Sequence, residues 1–211
     1  MNAMSASRPS TSMTNDSPHR IGELRTLYDK ADQFAREVAE FEDEIAIPAI
    51  NELRYAGYHL LQAIGDDGTI SRDEQFRRAI SHCERAMYEA AEAGINLVLV
   101  SIDQFREDYK NIVVKDVVDD YARILAHTRK AQDLIARGRS DQMSSSDRAS
   151  RYMETFRQLR EYSELLEASR DDLNAKQFKE KKAQRRFIIS CMLILLGIVV
   201  TAAGIVIKLG M

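Results

Sequence analysis

The feature that most constrains the fold of this chain is an uninterrupted apolar run from Phe187 to Ile207, which contains no charged residue. At about 1.5 Å per residue, a helix of this length extends roughly 31 Å, which matches the ~30 Å hydrocarbon core of a bilayer. The run therefore predicts a transmembrane anchor at 187–207, followed by a short tail at 208–211. The side chains expected to hold the anchor are Phe187, Leu193, Leu195, Leu196, Val200, Ile205 and Ile207.

The segment before this run, residues 176–186, is basic, with six Lys and Arg residues against one Glu. The positive-inside bias predicts that this stem and everything before it are cytoplasmic. We therefore expect a tail-anchored, single-pass membrane protein with the lipid bilayer as one partner. Self-association as a homodimer through the span is left open, because small residues recur in it. The expected lipid headgroup contacts are Lys179, Lys181, Lys182, Arg185 and Arg186.

The rest of the chain has helical periodicity. Residues 1–17 are polar and lack a signal-peptide core, so we expect a disordered N-terminal tail. Beyond them, apolar residues recur every three to four positions and no strand candidate is present. Gly94 is expected to break or kink a helix. The predicted fold class is all-α: a cytosolic antiparallel helical bundle at 18–175, followed by a long helix that runs through the stem into one C-terminal transmembrane helix.

Two segments share the pattern Arg-x-Ala-x-x-His-x-x-x-Ala, the first with Arg54 and His59 and the second with Arg77 and His82. Antiparallel pairing of the two helices that carry them places each arginine level with the histidine of the other helix. In each helix the alanines share the face of the histidine, which favours close packing. One interpretation is therefore structural, with half-buried histidines whose nitrogens are satisfied by Glu, Tyr or backbone partners. The other interpretation is a nuclease site.

At these residues the chain resembles the HEPN superfamily, small α-helical domains of which many members carry an Arg-x4-6-His motif and cleave RNA without a metal. The resemblance covers residues 50–90. It implies that His82, and also His59, acts as acid or base on a ribose 2′-hydroxyl, with Arg77 or Arg54 stabilising the phosphate charge. The family also includes non-catalytic bundles and is frequent in defence systems, which implies an accessory or sensor role in stress or phage defence.

Other motifs exclude several classes of function. The segment Asp67–Glu74 matches the second half of an EF-hand loop, but the first ligand positions would be Ala63 and Gly65, which carry no carboxylate. HExxH, paired CxxC, phosphate-binding glycine loops and GxSxG are absent from the sequence. We therefore expect no cofactor and no metal. Cys83 and Cys191 are expected to be free thiols.

These observations favour an interaction protein over an enzyme, namely a helical bundle that acts through an unidentified protein partner. Two alternatives stay open. One is a membrane-attached, metal-independent endoribonuclease of the HEPN type, for which RNA is the substrate. The other is a SNARE-like membrane tether, because a long helix enters the C-terminal span; Ser163 and Arg170 interrupt its heptads and weaken that reading.

Overall fold

The computed structural model describes the backbone of residues 17–42, 46–65, 70–138 and 143–209, and the side chains within these ranges except those of residues 17, 18, 42 and 199–209. This part of the chain is all-helical, as the periodicity predicted. A 3-10 turn at Val114–Asp116 lies between the third and the fourth helix. The helices are α1 (Ser17–Glu42), α2 (Ile47–Gly65), α3 (Arg72–Asp108), α4 (Tyr121–Arg137), α5 (Ser145–Ala168) and α6 (Arg170–Leu209).

The prediction of a transmembrane helix is wrong. Within the described ranges, no helix carries an apolar stretch long enough to cross a membrane. The first turns of α6, the helix that contains the run at 187–207, are charged.

The predictions that depended on this span are corrected with it. A tail-anchored, single-pass protein with a cytoplasmic N-terminal domain is not supported, whereas the SNARE-like tether stays an untested prediction. Three of the predicted anchor side chains, Val200, Ile205 and Ile207, lie outside the described residues, as does most of the expected disordered tail at 1–17. The anchor and headgroup residues that are described lie exposed along α6: Phe187, Leu193, Leu195, Leu196, Lys179, Lys181, Lys182, Arg185 and Arg186.

The described residues fall into two compact units, 1–100 with 127–160, and 101–126 with 161–211. In the first unit, the buried Phe156 of α5 lies edge-on to Phe34 and Phe41 of α1, with ring centroids 5.8 and 6.2 Å apart. A Cβ atom at Gly94 of α3 would lie 2.7 Å from two carbons of the Phe156 ring. Glycine at this position therefore lets α3 approach the aromatic cluster, and the helix continues through it.

In the second unit, the first residue of α6 ties this helix to the end of α3. The Arg170 guanidinium donates hydrogen bonds to Glu167 and Asp108, at 2.6 and 2.8 Å, and lies 5.4 Å from the centre of the buried Phe105 ring. The hydrogen bonds to the two carboxylates raise the pKa of Arg170, and the bond to Glu167 has the larger effect. The same contact lowers the pKa of the Asp108 carboxyl, with a smaller effect from the amide of Gln104. The expected continuous last helix is interrupted by a turn at residue 169, just before this contact.

Candidate functional sites

The two histidines of the repeated pattern lie together between α2 and α3. Their rings are stacked, with centroids 5.1 Å apart and planes inclined by 14°. His59 Nδ1 of α2 lies 2.8 Å from Gln75 Oε1 of α3, and His82 Nδ1 of α3 lies 2.6 Å from Glu52 Oε2 of α2. Because both partners are acceptor oxygens, each Nδ1 is the donor in its contact, which leaves Nε2 of each ring for a second partner. Each helix thus supplies one histidine and one acceptor.

The two arginines of the pattern are not brought to this histidine pair by any described contact. Arg77 is exposed and forms an ion pair with Glu74 one turn earlier in its own helix. Arg54 is exposed, and its guanidinium lies 5.3 Å from the centre of the Tyr55 ring. The reason is geometric: five positions along a helix rotate a side chain by about 140°, so the arginine and histidine of one motif face different ways.

Sequence reasoning missed three residues of this site. Glu52 and Gln75 hold the histidine rings, and Arg85 places Nε 3.6 Å from Glu52 Oε2, the oxygen that His82 also contacts. A signal for the first two was present in the repeat. Each acceptor lies seven positions before the histidine of its own helix (59 − 52 = 7 and 82 − 75 = 7), so the pattern begins two residues before the arginine.

The half-buried position of the histidines follows from the small residues around them. The four alanines of the pattern are buried, at 1% exposure or less, which lets α2 and α3 approach closely. They are Ala56, Ala63, Ala79 and Ala86. Side-chain exposure is 14% at His82 and 19% at Glu52, so most of the surface of this contact is shielded from solvent.

The neighbouring thiol adds no nucleophile to this site. Cys83 is fully buried, and burial, with a smaller effect from Glu84, raises the pKa of its thiol to about 12. The thiol therefore stays protonated at neutral pH, and the reactive form is the thiolate. Among the residues that the structure describes, no three His, Cys, Asp or Glu side chains are arranged to hold a metal ion.

A second feature of α2 is a row of large apolar side chains that face outward. We name it the α2 stripe, and its members are between 46% and 69% exposed. The buried residues of the same helix are three alanines and Leu53. At about 100° per residue, the aliphatic members of the stripe lie on the side of α2 away from His59, whereas the ring of Tyr58 has its centre 5.5 Å from that of His59. The α2 stripe consists of Ile47, Ile50, Tyr58, Leu61 and Ile64.

No family model, curated protein or solved structure matches this chain. The resemblance to HEPN domains is thus carried by the repeated Arg/His pattern alone. The histidine pair gives proton transfer a geometric basis, and the α2 stripe gives binding one.

Proposed function

We propose that this protein is a helical interaction module that binds a protein partner through the α2 stripe and acts as an accessory component rather than as an enzyme. The observation behind the proposal is the inverted burial of α2, in which mostly small residues face the core and large apolar residues face solvent. A helix on a core normally turns its large side chains inward, because burying a Leu or Ile side chain contributes about 1.5–3 kcal/mol. This helix buries alanines and leaves its isoleucines in solvent.

The composition and spacing of the α2 stripe fit a helical partner. Ile47 and Ile50 are three positions apart, as are Tyr58 and Leu61 and then Leu61 and Ile64, a spacing that places side chains on one helix face. Tyr58 adds an aromatic side chain of the kind that is enriched in the cores of interfaces. Contiguous exposed apolar surface of this kind marks binding sites in proteins.

The proposal is tested by the size of the complex that the protein forms in extracts of cells that produce it. We expect the wild-type chain to elute in an assembly larger than its 24.0 kDa mass. Leu61→Glu places a charge in the stripe and shifts the chain to the monomer position. Gln33→Glu adds the same charge at an exposed site on α1 and serves as the matched control.

If Leu61→Glu elutes with the wild-type assembly while its circular dichroism is unchanged, the α2 stripe binds no partner and the proposal fails. If Gln33→Glu disrupts the assembly equally, the effect is one of net charge and not of the stripe.

A specific observation favours a second candidate, a metal-independent endoribonuclease at the histidine pair. The Glu52 carboxylate holds the ring of His82 by Nδ1 and directs Nε2 to proton transfer, while the stacked His59 offers a second Nε2. Arg85, rather than Arg54 or Arg77, is the cation in contact with this carboxylate.

The ribonuclease candidate is tested by RNA cleavage with the full chain in the presence of EDTA. Cleavage that is lost in His59→Ala/His82→Ala but kept in His127→Ala, which removes a histidine elsewhere, supports catalysis by the pair. Absence of cleavage by the wild-type chain removes this candidate and leaves the two histidines as a packing feature.

A further inference from the structure

We infer that the partner of the α2 stripe is a second copy of this chain, paired antiparallel across a twofold axis. The inference rests on the proposed function, since it names the occupant of the same surface. Four observations support it: the register of the stripe, the position of Arg54 between its members, the scarcity of charge on this face of the helix and the area of the stripe.

The register of the stripe is the same when it is read in either direction. Ile47 and Ile50 lie near one end of α2, and Leu61 and Ile64 lie near the other. An antiparallel pair centred between positions 55 and 56 places Ile47 opposite Ile64 of the second copy, and Ile50 opposite Leu61. Large aliphatic side chains therefore meet large aliphatic side chains at both ends of the contact.

The same register places the one charged residue near the middle of this helix face opposite a glycine. Arg54 comes to lie opposite Gly57 of the second copy. Among the described residues, nothing lies within 4 Å of a Cβ atom built at Gly57, so the surface there is open. The Arg54 guanidinium already lies over Tyr55, on the flank of the stripe, which lets the apolar stem pack while the charge stays in solvent.

The charge pattern and the area of the surface agree with self-association. Charged residues make up 30% of the chain, yet Arg54 is the one exposed charge within the stripe of the described helix α2. Such a surface selects neither an acidic nor a basic partner, whereas a twofold pair requires only that the surface complement itself. From their exposed fractions, the five stripe residues expose on the order of 600 Å² per copy, so a contact that covers all of it in both copies reaches the lower limit of specific interfaces, about 1,200 Å² in total.

Cysteine pairs test both the partner and the register. The full chain carries Cys191→Ser, and the buried Cys83 is kept. Chains with Ile50→Cys and chains with Leu61→Cys are oxidised separately and as a mixture. We expect disulfide-linked dimers only in the mixture, because positions 50 and 61 face each other across the antiparallel pair.

Each variant alone is the matched control. In the antiparallel pair, two copies of position 50 are offset by eleven residues, or about 16 Å, beyond the reach of a disulfide. Linked dimers from each single variant would indicate parallel pairing and overturn the inference. Absence of linked dimers in the mixture would overturn it as well.

The mass of the purified full chain, measured by light scattering, separates failure of this inference from failure of the proposed function. We expect twice 24.0 kDa for the wild-type chain and for Gln33→Glu, and a dissociation constant raised at least about 100-fold by Leu61→Glu. A purified chain that is monomeric, while Leu61→Glu still disrupts the cellular assembly, overturns the second copy but keeps the interaction surface. A mass that Leu61→Glu leaves unchanged overturns the inference.

Discussion

The same substitution at two leucines of α2 tests which face of this helix is buried. Leu53 is 4% exposed on the core face, and Leu61 is 69% exposed in the α2 stripe. The perturbation is Leu→Ala at each position in turn. Both sites lie in the interior of one helix, so helix propensity changes equally in the two variants and cancels from their comparison.

The expected magnitudes follow from burial. Leu53→Ala removes a buried side chain from a face made otherwise of alanines, which are too small to fill the cavity, and Leu→Ala at buried sites costs about 2–5 kcal/mol. We expect about 3 kcal/mol. Leu61→Ala removes a side chain that is in solvent in the monomer, so the free energy of unfolding changes by less than about 0.5 kcal/mol.

The assay is urea unfolding followed by circular dichroism, at a dilution where light scattering gives the monomer mass of 24.0 kDa. The dilution is required because association stabilises the folded state by mass action and would add a cost to Leu61→Ala. Equal losses for the two variants would place Leu61 in the folded core. That result would refute the reasoning that makes the α2 stripe a surface.

Two further substitutions test packing and charge. Gly94→Ala is expected to lower the free energy of unfolding, measured in urea, by about 1–2 kcal/mol, because crowding against Phe156 outweighs the ~1 kcal/mol gained from helix propensity. Gly22→Ala is the control: no described atom lies within 4 Å of a Cβ at this position, so the substitution is expected to raise the free energy of unfolding. A gain at Gly94 would contradict the close approach of α3. Since the contact with Arg170 lowers the pKa of Asp108, its stabilisation is complete above the ordinary carboxyl pKa of about 3.9 and is lost as pH falls through the lowered value. The difference in Tm between the wild type and Asp108→Asn should therefore be constant above about pH 5 and should shrink towards zero as the pH falls below about 4. A difference in Tm that persists at the lowest pH would mean that the variant loses stability through packing and not through charge.

The helices could be predicted from sequence because local periodicity determines them, but their continuity depends on distant residues. Gly94 reads as a helix break, since glycine is unfavourable in a helix interior. In the structure α3 continues through it, and glycine is required there because the ring of Phe156 occupies the space that a side chain would fill. The turn after α5 was missed for a similar reason. Arg170, the residue that follows this turn, contacts Asp108, which lies over sixty positions away, and local periodicity does not reveal such a contact.

The histidine pair was within reach of sequence reasoning, but its chemical partners were not. The repeat brought His59 and His82 to notice, and the arginines were assigned to them by spacing alone. Helical rotation turns those arginines away, and Glu52 and Gln75 reach the rings from the opposite helix. The α2 stripe was missed because periodicity shows that a helix has two apolar faces without showing which one is inside.

A photoreactive amino acid at position 61 tests the binding role of the α2 stripe most directly. The full chain carries it in place of Leu61, and a control chain carries it in place of the exposed Gln33 of α1. After illumination of producing cells, we expect a protein adduct from position 61 and none above background from position 33. Equal yields from the two positions, or no adduct from position 61, would contradict the assignment of the α2 stripe as a binding surface.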